Sequence, residues 1–145
     1  MMSLRLDDQL CFPLVAAARA VQAVYRPVLA ELGLTYPQYL VLLVLWESDG
    51  QSVSALGQRL HLDSGTLTPL LQRLERSGLV RRERSQPDQR VVIVHLTPSG
   101  DALRERAACI PSQIVGALGS APDVDLAAFK ATLQRLTEAL VMEPG

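Results

Sequence analysis

The chain has 145 residues, 48% apolar and 20% charged, with a formal net charge of -1, a length that suits one domain and a composition that builds a core and excludes intrinsic disorder. The longest apolar run, Tyr39 to Trp46, is far short of the ~18 residues that suggest a transmembrane helix. No basic-then-apolar leader opens the sequence, so a cytoplasmic protein with no membrane partner is expected.

Leu14, Val21, Val24, Tyr25, Val28, Leu29 and Leu32 recur at helical spacing and predict a first helix that ends before Gly33. Tyr36 to Trp46 predicts a second, mostly buried helix. Ser52 precedes VSALGQRL, whose Val53, Leu56 and Leu60 share a face, so a short third helix follows. A fourth is expected to begin near Asp63, with Leu62 and Leu67 placed as a hydrophobic staple around an Asp63 cap, and to end at Gly78. Pro69 removes one backbone bond inside such a helix, which leaves two readings: an irregular first turn, or a start nearer Thr66.

From Leu79 the period becomes strand-like. Leu79 to Arg84 and Arg90 to Leu96 are short runs separated by Ser85-Gln86-Pro87-Asp88-Gln89, a hairpin with a polar, arginine-flanked tip. Thr97 and Pro98 restart helix as N-cap and first residue, and that helix is read as running to about Ile110 or past Pro111. A last helix carries Leu126, Phe129, Leu133, Leu136 and Leu140 on one stripe. No internal repeat or low-complexity linker is present.

The net charge argues against a nucleic-acid partner, but its distribution argues for one. Between Gln58 and Arg90 seven arginines face four acids, a local +3 in a chain whose net charge is -1. A solvated helix face gives the same count, so the cluster needs support from architecture. Helix, short turn, helix and two-stranded hairpin is the arrangement of a winged helix-turn-helix. On the fourth helix Leu67, Leu70, Leu71 and Leu74 face the core, leaving Ser64, Thr66, Thr68, Gln72, Arg73 and Arg76 for phosphates and base edges in a major groove. The wing residues Arg82, Arg84, Asp88 and Arg90 complete the candidate DNA contacts, with Arg90 placed to follow the backbone into the minor groove.

The stretches LCF, VYRPVLAELGLTYPQYLVLLVLWE, LDSGTLTPLLQRLERSGLV and SQPDQR resemble the MarR family, specifically its organic-hydroperoxide-sensing branch. The resemblance covers about Gln9 to Pro111. It implies a mainly α fold with a small β-hairpin wing, assembled as an intertwined homodimer that binds a palindromic operator in double-stranded DNA. The implied organisation is a single chain over residues 1–145, with the winged helix-turn-helix at 52–96 and helical dimerisation regions at 4–34 and 98–142. The implied function is a transcriptional repressor, not an enzyme, that releases its operator when an organic hydroperoxide oxidises a cysteine.

Cys11 and Cys109 are the two cysteines, and their spacing forms neither a disulfide framework nor a metal site, so no metal or cofactor is expected. A lone cysteine in an apolar helix is ordinarily a small buried hydrophobe. Cys11, however, stands two positions before Pro13, a residue favoured in a first helical turn. A thiol there meets the positive end of the helix dipole, which favours the thiolate that attacks a peroxide, while Asp7 and Asp8 oppose it. The resemblance places Cys11 on the peroxidatic cysteine of the branch, oxidised first to a sulfenic acid. It also implies that Tyr25 and Tyr36 hydrogen-bond the partner's cysteine.

Two departures from the branch pattern stand out. Val15 occupies a position where a tyrosine is common, and the wing reads Asp88-Gln89-Arg90 where an acid is common in the middle. Cys109 is left with two readings, a second redox cysteine or a buried bystander. The resolving position of two-cysteine members aligns nearer Gly116, and seven helical residues span ~10 Å against the ~7 Å limit for a disulfide. Capture of oxidised Cys11 by a small thiol, as a mixed disulfide, is therefore favoured. The competing functions are a repressor released by a non-covalent aromatic ligand, a thiol peroxidase turning over at Cys11, and a purely structural dimerisation module.

Overall fold

The computed structural model describes residues 2–119 and 123–142. The chain divides into two compact units, Met1–Pro111 and Ser112–Gly145. In the first, a 3-10 turn at Leu6–Asp8 leads into α1 (Cys11–Ala30), α2 (Tyr36–Glu47), β1 (Gln51–Ser52), α3 (Val53–Leu60), α4 (Ser64–Arg76), β2 (Val80–Arg84), β3 (Val92–Leu96) and α5 (Pro98–Ala107). α6 (Ile110–Leu118) begins at its end, and α7 (Leu126–Met142) belongs to the second unit.

α2 is the centre of the first unit. Thr35 starts it with a reciprocal capping box: its side chain accepts from the Gln38 amide and its own amide donates to Gln38 Oε1 at 2.9 Å. Tyr39, Val41, Leu42, Val44 and Leu45 are all buried, so apolar residues run around the helix because neighbours cover it on several sides. Trp46 closes the far end, its indole Nε1 donating to the Gly100 carbonyl of α5 at 2.9 Å.

α3 and α4 form the helix-turn-helix. Ser52 caps α3 by accepting from the Ala55 amide at 3.0 Å, and Asp63 Oδ1 caps α4 by accepting from Thr66 at 2.7 Å. α4 therefore starts at Ser64, the earlier of the two starts the sequence allows, and carries Pro69 inside it. The turn between the helices is tight enough to demand glycine at one point, since a Cβ on Gly57 would lie 2.7 Å from the Leu62 carbonyl oxygen. Leu56, Leu67, Leu71 and Leu74 are fully buried beneath the pair.

The sheet has three strands in the order β1-β3-β2, all antiparallel, with Gln51 opposite Val94 and Arg82 opposite Val94 on its other side. β2 and β3 form the hairpin expected from sequence, and β1, a strand of only two residues that sequence did not reveal, adds to its other edge. β3 begins at Val92 rather than Arg90. α5 is capped by Thr97, whose Oγ1 accepts from Gly100 at 3.1 Å. It stops at Ala107 instead of passing Pro111. Pro111 has no amide to give the Ala107 carbonyl and its ring would clash there, so the helix breaks at Ala108–Cys109 and restarts at Ile110.

Among the described residues no helix is long and apolar enough to cross a membrane. Apolar side chains remain uncovered in both units. In the first they include Leu10, Phe12, Leu14 and Val15, and in the second Leu126, Phe129, Leu136 and Leu140.

Candidate functional site

α4 sorts its side chains as the sequence predicts. Leu67, Leu70, Leu71 and Leu74 are buried, while Ser64, Thr66, Thr68, Gln72, Arg73 and Arg76 are exposed along the opposite side. Arg73 and Arg76 enter no ion pair among the described residues. The leading end of the helix offers hydroxyls and backbone amides, and Asp63 there is held below the usual carboxylate range by its bond from the Thr66 amide.

The wing tip is ordered by its own polar contacts. Ser85 and Val91 close the loop at 2.8 Å, and Arg84 donates to the Gln89 carbonyl at 2.8 Å. Asp88 holds Arg90 by its backbone amide, by Nε at 3.1 Å and by the terminal guanidinium nitrogen at 3.3 Å. The Arg90 guanidinium, helped by the Arg90 backbone amide, holds the Asp88 carboxyl below its ordinary pKa. The Arg90 side chain is nonetheless 91% exposed. An ion pair so open to water adds little stability, and what it supplies is direction, a guanidinium projected from the tip.

Arg82 departs from this pattern. Its side chain is 27% exposed and paired with Glu75 of α4, so it is turned away from solvent beside the helix rather than presented with the other wing arginines. Sequence reading missed this pair because the two residues sit on different elements across the Gly78 turn, where no periodicity links them.

The second candidate site is built around a thiol. Cys11 is the first residue of α1 and is exposed. Leu10 precedes it with no side-chain cap, so the first-turn amides of α1 receive no side-chain acceptor from that position. Leu10, Phe12 and Val15 around it are 84%, 47% and 45% exposed, an apolar collar open to a partner. The segment before it folds on itself, with Gln9 donating to the carbonyls of Ser3 and Arg5 and Ser3 donating to Asp8.

Tyr25 of α1 and Tyr36 of α2 pack ring against ring, their centroids 4.8 Å apart, and Tyr39 joins Tyr25 at 5.9 Å. Burial raises all three phenol pKa values, so each hydroxyl stays protonated and able to donate. Tyr36 also borders a cleft of about 320 Å³ whose walls include Gln22, Arg26 and Pro37. Tyr39 is a member of this cluster that sequence reading did not single out, although it lies one helical turn beyond Tyr36. Cys11 does not join the tyrosines within the chain: fourteen helical residues separate it from Tyr25, about 21 Å. Cys109 lies in the break between α5 and α6 and is exposed, which corrects the buried reading; its Sγ lies 3.8 Å from the Arg106 carbonyl. Among the described residues no cluster of His, Cys, Asp or Glu is suited to a metal ion.

The family model for the transcriptional regulator SarA/Rot matches residues 23–106. The organic hydroperoxide resistance transcriptional regulator of Bacillus subtilis is 46% identical over 94% of this chain and 92% of its own length. The HTH-type transcriptional regulator TtmR of Methylorubrum extorquens is 56% identical over 81% of this chain, a match that spans only 60% of that relative. Among solved structures, reduced AbfR bound to DNA is 36% identical with a TM-score of 0.78, covering 97% of this chain and 98% of that one. Overoxidised AbfR bound to DNA is 40% identical with a TM-score of 0.76, over 94% of this chain and 96% of that one. With the helix-turn-helix, the wing and these matches together, the chain belongs to the MarR/SarA-type family of winged-helix transcriptional regulators, in the organic hydroperoxide resistance branch.

Proposed function

We propose that this chain is a homodimeric repressor that binds a palindromic operator in double-stranded DNA and releases it when an organic hydroperoxide oxidises Cys11. The observation that carries the reading is the exposed Cys11 at the first position of α1, set in an apolar collar, in a chain that presents an arginine-bearing wing beside an open helix face. α4 supplies Ser64, Thr66, Thr68, Gln72, Arg73 and Arg76 to the major groove, and Arg84 and Arg90 supply the wing contacts, with Asp88 orienting Arg90. Residues 52–96 form the reading head. Residues 4–34 and 98–142 form the dimerisation region, and the uncovered apolar side chains in both units are the surfaces a second copy covers.

The chemistry is a two-electron oxidation of sulfur. The Cys11 thiolate attacks the distal oxygen of the hydroperoxide, the O–O bond breaks, and the alkoxide leaves with a proton as the alcohol, giving a sulfenic acid. A small-molecule thiol then displaces water from the sulfenic acid and forms a mixed disulfide. Tyr25 and Tyr36 of the partner, whose phenols carry their protons at neutral pH, donate hydrogen bonds to the sulfur or its oxygen. An oxidised, bulkier group forces those rings to repack and shifts the spacing of the two reading heads. A hundredfold loss of affinity needs only ~2.7 kcal/mol of difference between the two arrangements. The protein is a sensor rather than a peroxidase, and its oxidation is stoichiometric.

The test is an operator titration of wild type, Cys11→Ser and Cys109→Ser with and without cumene hydroperoxide and a small thiol. Cys11→Ser is expected to bind as tightly as wild type and to stay bound; Cys109→Ser is expected to release. Peroxide-driven release of Cys11→Ser would end the proposal, and catalytic peroxide consumption would replace the sensor with an enzyme.

A further inference from the structure

Glu75 lies in the last turn of α4, the helix assigned to the major groove, where a carboxylate repels a phosphate backbone. Both of its oxygens are engaged by one wing residue. Oε2 accepts the Arg82 backbone amide at 3.0 Å and Oε1 accepts the Arg82 guanidinium at 3.3 Å. One side chain therefore grips the main chain and the side chain of β2 at the same point, across the turn that Gly78 makes at a φ of 75°. β2 is an edge strand, and Glu75 gives its Arg82 amide an acceptor that no neighbouring strand supplies.

Stability alone is a poor account of the arrangement. The Arg82 Nε is shielded from solvent and meets no acceptor among the described residues. The two side chains of the pair keep 27% and 41% of their surface in water, and an ion pair that open adds little stability. Geometry is the better account. The period of two along a strand puts Arg84 on the same face as Arg82. Arg84 in turn holds the Gln89 carbonyl at the tip, next to the Arg90 that Asp88 orients. A polar line thus runs from the end of the recognition helix, along the wing, to the residue assigned to the minor groove.

We propose that Glu75 is a positioning residue for DNA recognition, one that fixes the angle of the wing to α4 through Arg82, so that Arg90 reaches its groove while α4 occupies the neighbouring one. This rests on the reading of the chain as a DNA-binding repressor. The sign of the effect separates positioning from charge: an acid acting through its charge alone weakens DNA binding, so Glu75→Gln would then tighten it, whereas a positioning residue makes the same substitution loosen it.

The experiment is a double-mutant cycle on the full-length dimer. A labelled duplex, selected with wild-type protein from a library of randomised palindromes, is titrated with wild type, Glu75→Gln, Arg90→Ala and the double variant over a range of salt, with thermal unfolding in parallel. Glu75→Gln is expected to remain a folded dimer and to bind roughly tenfold more weakly. Arg90→Ala is expected to lose roughly tenfold in the wild-type background but less than about threefold in the Glu75→Gln background, because the tip is already misplaced. Binding by Glu75→Gln as tight as wild type or tighter would overturn the proposal, as would a full Arg90→Ala effect in that background. Should Glu75→Gln not fold, Arg82→Lys carries the same cycle, since it keeps the charge and the backbone bond but not the planar fork; the same two results decide it. If wild type selects no duplex, the repressor reading itself fails, which is distinct from a failure of the cycle.

Discussion

Cys11 and Tyr25 share one helix but stand about 21 Å apart along it, so no side-chain motion within a chain brings the thiol to the tyrosines. A site that uses both must take them from two copies, and mixed dimers test this. A dimer of one Cys11→Ser chain with one Tyr25→Phe/Tyr36→Phe chain keeps one intact cross-subunit site and is expected to react with cumene hydroperoxide at about half the wild-type capacity. A dimer that carries all three substitutions on one chain keeps no intact site and is expected to form sulfenic acid about tenfold more slowly. Equal rates in the two mixed dimers would refute assembly across the subunits.

Arg90→Ala removes the guanidinium that Asp88 holds out from the wing tip. Operator binding is expected to weaken by about 1–3 kcal/mol, with the salt slope reduced by about one and the dimer still folded. An anisotropy titration at several salt concentrations measures both quantities. Unchanged affinity and slope would remove Arg90 from the interface.

Gly100→Ala is expected to be among the most damaging single substitutions at the join of α5 to the winged region. A Cβ at that position would lie 2.0 Å from the Leu79 carbonyl oxygen, and the clash is with backbone, which cannot rotate away. Overpacking of this kind costs about 1–3 kcal/mol or more. Thermal unfolding checks it, and a midpoint within a degree or two of wild type would mean that α5 and the start of the wing are less rigidly joined than their contact implies.

Alkaline pH should erode the fold through the tyrosine cluster. Burial raises Tyr25, Tyr36 and Tyr39 above the ordinary phenol value of 10.0, so the folded protein holds these protons more tightly than the unfolded chain. Their contribution is fully present below the unfolded value and is lost as pH rises through the folded values. Tyrosinate absorbance should therefore rise late, together with a falling unfolding midpoint, and Tyr25→Phe/Tyr36→Phe should flatten that fall. Simple early titration at the ordinary phenol value would contradict the packing.

Much of this was legible in the sequence because the helices are amphipathic and capped by residues of the expected kind. The α4 leucines, the Asp63 cap and the Thr97 cap all fall where periodicity and side-chain chemistry put them. β1 was not legible, since two residues carry no period and Ser52 already reads as a helix cap. The end of α5 was misread because Ala107 and Ile110 keep the helical apolar spacing across a break that Pro111 imposes. Glu75 was counted only as a charge, because its partner Arg82 is reached through a turn and not along a helix face.

Trp46 is the sole tryptophan of the chain, and its indole is hydrogen-bonded to the first turn of α5 at the Gly100 carbonyl. It also stands at the end of a row of rings that passes through Tyr39 to Tyr25. The protein thus contains its own emission probe at the joint between its central helix and the helix that follows the wing. Movement there when peroxide is added can be followed in real time, without a dye, in the same cuvette that records loss of DNA.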